Sequence, residues 1–222
     1  MDEMTILFQG DSITDGNRYK DESSRWDLNH QIGHAYPYVI TALLGSASPE
    51  KGFRFVNRGV SGDSITRMEK RWKADTLAIK PDILSILIGV NDVCGQEWDE
   101  CRDYPEKYET TYRRLLDEVL AENPAVRFVL IEPFLLKDGA LDEVWQERYR
   151  RMAQIRELVR RIATDYKAVF VPTQELFDSL TAQREASYWV WDGVHPTEAG
   201  HGVIARQWLK ETGLWEYAGI SR

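Results

Sequence analysis

Short apolar runs rich in β-branched residues recur at Thr5–Gln9, Arg54–Asn57, Asp82–Ile88, Arg127–Ile131 and Ala168–Val171, and longer segments with helical periodicity lie between them. This strand–helix alternation constrains the fold more than any other feature of the chain. The helical candidates are Ala35–Leu44, Ser64–Asp75, Pro105–Glu122, Leu141–Asp165 and Thr197–Glu211, the third opening on a proline and ending at Asn123-Pro124. The run Ile83-Leu84-Ser85-Ile86-Leu87-Ile88 is almost continuously apolar, as a parallel strand covered by helices on both faces must be. The pattern predicts an α/β fold, a doubly wound sandwich with a central parallel sheet of about five strands. No linker, repeat or low-complexity tract divides the chain, so residues 1–222 are expected to form one domain. Only Asn17–Gly33 is polar and aperiodic, which suits either an ordered loop above the sheet or a mobile lid.

Charge narrows the function classes. Lys plus Arg number 28 against 36 Asp plus Glu, a net charge of −8, so the surface repels phosphate backbones and anionic lipid alike. A nucleic-acid or membrane-surface partner is therefore not expected. No secretory signal and no apolar stretch near the roughly 18 residues of a membrane span is visible, and a cytoplasmic location follows as an expectation. The two cysteines, Cys94 and Cys101, fit neither a zinc nor a redox spacing and read as reduced thiols.

In a doubly wound fold ligands bind at the carboxyl ends of the strands, so the residues just after each run carry the functional information. The first run is followed by Gly10-Asp11-Ser12-Ile13-Thr14-Asp15-Gly16, a tight turn that can set a serine at a helix start with its N–H free for an oxyanion. The second leads into Asn57-Arg58-Gly59-Val60-Ser61-Gly62-Asp63-Ser64, a glycine-rich turn able to present further N–H donors. The third ends in Gly89-Val90-Asn91-Asp92, where an amide side chain would project from the strand tip. A fourth block, Trp191-Asp192-Gly193-Val194-His195-Pro196, precedes the last helix.

Together these blocks supply a nucleophile, a general base, a group to orient the base, and oxyanion donors. Ser12 would attack a carbonyl, His195 would carry its proton, and Asp192, three residues earlier, would fix the imidazole tautomer. Gly-Asp-Ser-Ile occurs twice, at 10–13 and 62–65, which leaves Ser64 as a second serine, although a helix cap suits it better. Asp11 and Asp63 read as helix-start carboxylates with no catalytic role.

The set Gly10-Asp11-Ser12, Gly62, Gly89-Val90-Asn91-Asp92 and Asp192-Gly193-Val194-His195 resembles the SGNH (GDSL-type) hydrolases, in order and over nearly the whole chain. The resemblance implies a three-layer, flavodoxin-like α/β/α sandwich and a serine esterase with Ser12 as nucleophile, His195 as base and Asp192 as its orienter. It also implies an oxyanion hole made of the N–H groups of Ser12 and Gly62 and the Asn91 amide, and it decides for Ser12 over Ser64. No Gly-x-Ser-x-Gly elbow is present, which argues against the α/β-hydrolase scaffold. Within the family, Lys80-Pro81-Asp82 and Trp191–Pro196 followed by Ala199-Gly200-His201 look like the small intracellular bacterial acetylxylan esterases. That likeness implies an acetylated-sugar substrate and no cofactor.

Other residues have competing readings. Tyr188, Trp189 and Trp191 could stack on sugar or form an oligomer contact, and a homo-oligomer is a reasonable expectation. Arg58 could touch substrate or form an ion pair. His30, His34 and His201 lack the carboxylate or thiol partners of a metal site, so no metal is expected. Charges of both signs over Asp142–Arg161 read as a solvated helix face. The rival functions are an esterase, thioesterase or lysophospholipase for small acyl esters, and a catalytically silent carbohydrate-binding module.

Overall fold

The computed structural model describes residues 4–21, 28–137 and 143–219. Five strands, β1 (Met4–Gly10), β2 (Phe53–Asn57), β3 (Ile83–Leu87), β4 (Arg127–Ile131) and β5 (Val169–Val171), form one sheet in the order β2-β1-β3-β4-β5. Every neighbouring pair is parallel. The expected α/β architecture is therefore observed, with strand bounds within one or two residues of the apolar runs.

The helices on the expected segments are α1 (Tyr36–Ala47), α2 (Ile65–Trp72), α3 (Tyr104–Glu122), α4 (Glu143–Asp165) and α5 (Glu198–Thr212). Alternation along β1 shows that they cover both faces. Phe8 packs on Tyr36 of α1 and Trp208 of α5, while Gln9, one residue on, bonds Thr76 and Arg71 on the other side of the sheet. Trp208 in turn donates its indole N–H to Ser85 at 3.0 Å, so the one hydroxyl within the apolar run of β3 is satisfied.

Local chemistry sets most boundaries. Ser64 caps α2 by accepting from the Arg67 N–H, as its alternative reading held, and Thr197 caps α5 in the same way. Pro105 opens α3, and Asn123 closes it while bonding the Pro81 carbonyl at 3.0 Å. Two expectations need correction. The helix expected over Ser64–Asp75 ends at Trp72 and continues as a wider turn over Lys73–Leu77, where Thr76 turns inward to meet Gln9. Helices at Val90–Cys94, Gln96–Glu100, Gln174–Thr181 and Ala186–Trp189 were not expected; all but Gln174–Thr181 span five residues or fewer, too few turns for periodicity to register. Of the polar segment 17–33, residues 28–31 form a single turn of helix and 22–27 lie outside the described residues, so the choice between loop and lid falls partly there. Arg151 and Arg161 on α4 pair with Asp99 and Glu109, so its charged face bonds neighbouring elements as well as solvent.

β2 lies on one side of β1 and β3 on the other, so the chain reverses direction across the sheet at β1. The crevice beyond the carboxyl ends of β1 and β3 is where such a sheet binds ligands.

Candidate active site

Gly10 ends β1 with φ +154°, and a β-carbon there would stand 2.2 Å from the Leu87 carbonyl oxygen on β3. Only glycine lets the two strand tips approach this closely. The next residue, Asp11, is buried and accepts from the Ile13 N–H at 2.9 Å, which starts the helical turn Ser12–Asp15. Ser12 is thereby held at the sheet edge, half-buried, with its Oγ 2.8 Å from His195 Nε2.

The histidine arrives from a loop that folds largely upon itself. Val190 and Pro196 pair as an antiparallel bridge, and the Trp191 N–H donates to the His195 carbonyl at 3.1 Å. Inside this loop Asp192 Oδ1 accepts from the N–H groups of Val194 and His195 at 2.9 and 2.7 Å, while Oδ2 lies 2.6 Å from His195 Nδ1. Partial burial acts to raise the Asp192 carboxyl, but these hydrogen bonds outweigh it and hold the group below the usual carboxylate range. Gly193 makes the tight turn possible: its φ is +85°, and a β-carbon would meet the Leu136 carbonyl oxygen at 2.5 Å. Ser12, His195 and Asp192 thus form one continuous hydrogen-bonded chain.

Asn91 sits just beyond β3, and its Nδ2 donates to the Asp63 carbonyl at 2.9 Å, next to Gly62. Asp92 adds a second tie between the same two loops. Its Oδ1 accepts from the Ile65 N–H at 3.0 Å and from the Tyr104 hydroxyl at 2.7 Å. Burial pushes the carboxyls of Asp11 and Asp92 up to about 7 each. Asp63 is also raised by burial, against the opposing pull of Arg71, whose Nε lies 2.6 Å away. It serves as that arginine's partner rather than as the cap of α2.

The remaining candidates are spread around this centre. Trp191 is 65% exposed, and its ring stacks on that of His195 with centroids 5.6 Å apart. Tyr188 is exposed and meets the edge of Trp189, which is itself partly buried against the core. Arg58 reaches Asp75, Nε to Oδ1 at 3.8 Å, on the side of the sheet where Gln9 and Arg71 gather. His201 accepts from the Tyr36 N–H at 3.2 Å and is held down to about 4 by partial burial. Among the described residues no group of three or more His, Cys, Asp or Glu is arranged to hold a metal ion, and no helix is long and apolar enough to cross a membrane. Both cysteines are free.

Sequence reasoning passed over Asp92 and Glu97. Asp92 stood in the quoted block beside Asn91, a position that could have signalled its role as a brace. Glu97 gave no signal, because its partners Ser64, Thr66 and Arg67 lie about thirty residues away in the chain.

Known proteins share this framework. The acetylxylan esterase of Geobacillus stearothermophilus is 36% identical over 214 residues, 94% of each chain. The crystal structure of that organism's acetylxylan esterase Axe2 superposes with a TM-score of 0.78 at 32% identity, covering 98% of this chain and 95% of that one. A GDSL-like lipase structure from Parabacteroides merdae superposes with a TM-score of 0.87 at 37% identity over 96% of both chains. The model of the GDSL-like Lipase/Acylhydrolase family matches residues 8–203, from the middle of β1 into α5, and the chain belongs to that family.

Proposed function

We propose that this chain is a serine esterase that removes O-acetyl groups from acetylated xylo-oligosaccharides through an acyl-enzyme intermediate. The observation that carries the reading is the hydrogen-bonded chain from Ser12 Oγ to His195 Nε2 at 2.8 Å and from His195 Nδ1 to Asp192 at 2.6 Å, set at the tip of β1. The 36% identity to an acetylxylan esterase over 94% of the chain supports the substrate class. Solved structures of catalytic mutants of that relative replace a serine and an aspartate, the residue types proposed here.

In this reading Ser12 Oγ attacks the acetyl carbonyl carbon as His195 Nε2 takes its proton. Asp192 accepts from Nδ1–H, which fixes the tautomer and stabilises the imidazolium. The carbonyl oxygen becomes an oxyanion that accepts from the Ser12 and Gly62 N–H groups and from Asn91 Nδ2. One hydrogen of that amide is committed to the Asp63 carbonyl, which orients the other towards the oxyanion. Collapse breaks the bond to the sugar oxygen, which leaves with the proton from His195. Water then repeats the sequence on the acetyl-serine and releases acetate. The exposed face of Trp191, stacked on the base, offers a surface for the apolar face of a pyranose.

The test compares wild type with Ser12→Ala on acetylated xylo-oligosaccharides, p-nitrophenyl acetate and p-nitrophenyl hexanoate. Acetate release from the sugar should fall on the order of 10⁴-fold or more in the variant, with the circular-dichroism melt unchanged. A folded, active Ser12→Ala sinks the mechanism, and wild-type activity on the aryl esters alone sinks the sugar assignment.

A further inference from the structure

A cavity of about 470 Å³ opens directly beside the oxyanion donors, with Gly62 and Asn91 in its wall and Ser64, Arg67, Cys94 and Glu97 beyond them. The tetrahedral carbon carries three groups besides Ser12 Oγ. The alcohol must leave on the side of His195, since Nε2 protonates it. The oxyanion points at Ser12 N–H, Gly62 N–H and Asn91. The acyl chain is the remaining substituent, neither on the side of His195 nor on the oxyanion donors, and this cavity is the open space next to those donors.

An esterase for fatty acyl chains would line that cavity with hydrocarbon. Here Arg67 pairs with Glu97, Nε to Oε1 at 3.6 Å, and Arg67 Nη1 also donates to the Gly62 carbonyl at 3.2 Å. Glu97 is fixed by hydroxyls as well, with Thr66 Oγ1 at 2.5 Å and Ser64 Oγ at 3.2 Å. Burial acts to raise the Glu97 carboxyl, but these donors and Arg67 hold it below its ordinary range, so it stays ionised. The two side chains are 58% and 29% exposed, so both are hydrated before substrate arrives. A longer alkyl chain lying against them must displace that water and offers no hydrogen bond in return, whereas a methyl group displaces the least.

We propose that the acyl chain enters this cavity and that the Arg67–Glu97 pair is the acyl-length filter of this enzyme: it admits acetyl and rejects longer alkyl chains by refusing to give up its water. This rests on the reading of Ser12, Gly62 and Asn91 given above. In an apolar pocket each added methylene would raise kcat/KM about fourfold; the pair removes that gain.

The experiment measures kcat/KM for p-nitrophenyl acetate, butyrate and hexanoate in wild type, Arg67→Met and the double variant Arg67→Met/Glu97→Leu. The quantity read is the hexanoate-to-acetate ratio within each protein, so that any disturbance of the shared oxyanion donors cancels. Wild type should favour acetate. The ratio should rise severalfold in Arg67→Met and at least tenfold in the double variant, most of it in KM. A ratio unchanged within twofold in either folded variant overturns the filter, and Arg67→Met decides the matter should the double variant not fold. A wild type that already favours hexanoate overturns the short-chain reading itself.

Discussion

The two halves of the candidate site are built in opposite ways. Ser12, Gly62 and Asn91 stand at the ends of three adjacent parallel strands, and what holds them is buried: Asp11 capping Ser12–Asp15, and Asp92 tying Ile65 and Tyr104 to the tip of β3. Asp192 and His195 belong to a seven-residue loop whose geometry comes from bonds within it, the Val190–Pro196 bridge and two N–H groups on one carboxylate oxygen. The first half depends on the whole sheet, while the second is shaped largely by bonds among its own residues, with the Leu136 N–H donating to the Gly193 carbonyl and Val190 buried in the core as its anchors. A polar centre can therefore combine a stiff electrostatic frame with a base carried on a small, exposed module.

That contrast can be broken at the loop first. Asp192→Asn keeps an oxygen for the N–H groups of Val194 and His195 but loses the acceptor for His195 Nδ1–H, leaving the ring free to take the wrong tautomer. Activity should fall on the order of 10³–10⁴-fold with the melting temperature little changed. A large loss of stability instead would show that the loop is not self-contained.

Next comes the strand-tip half. Asn91→Ala removes a proposed oxyanion donor and the bond to the Asp63 carbonyl, and kcat should fall roughly 10²-fold with KM nearly constant, since the two proposed backbone donors remain. Steady-state kinetics on p-nitrophenyl acetate reads the split, and a rise in KM alone would assign Asn91 to ground-state binding.

The smallest effect is on stability. The Asp11 carboxyl stands at about 7 in the folded protein against an ordinary 3.8, so between those values the folded state binds more protons than the unfolded one. Its contribution is greatest below about pH 4 and is lost as pH rises through 7. Asp11→Asn preserves an acceptor for the Ile13 N–H and cannot ionise. Relative to wild type it should gain about 2 kcal/mol between pH 5 and pH 8, read from urea midpoints. Parallel pH dependence in the two proteins would show that Asp11 is ionised throughout and solvated some other way.

The legibility of the sequence follows the same division. The strands announced themselves as apolar runs, and α3 was bounded by Pro105 and Asn123, because caps and periodicity are local properties. The pairing of Asp192 with His195 was equally visible, since a separation of three residues suits a tight turn. The duplicated Gly-Asp-Ser-Ile was not resolved by spacing; the cap made by Ser64 shows what tells the two serines apart. The wide turn over Lys73–Leu77 escaped because its cause, the meeting of Thr76 with Gln9, spans 67 residues.

The sequence by itself determined the class of fold, the strand ends to interrogate, and the residue types assembled there, because hydrophobic period, glycine turns and short-range carboxylate bonds are written in neighbouring residues. Only the tertiary structure decided that β1 lies between β2 and β3, and with it that the strand ends leading to Ser12, Gly62 and Asn91 are neighbours. It alone turned Arg58 towards Asp75, drew Glu97 onto Ser64, Thr66 and Arg67, and buried Asp11 and Asp92 out of reach of water. The reason is physical: strand order and burial are cooperative outcomes of packing the entire chain, and no window of sequence contains them.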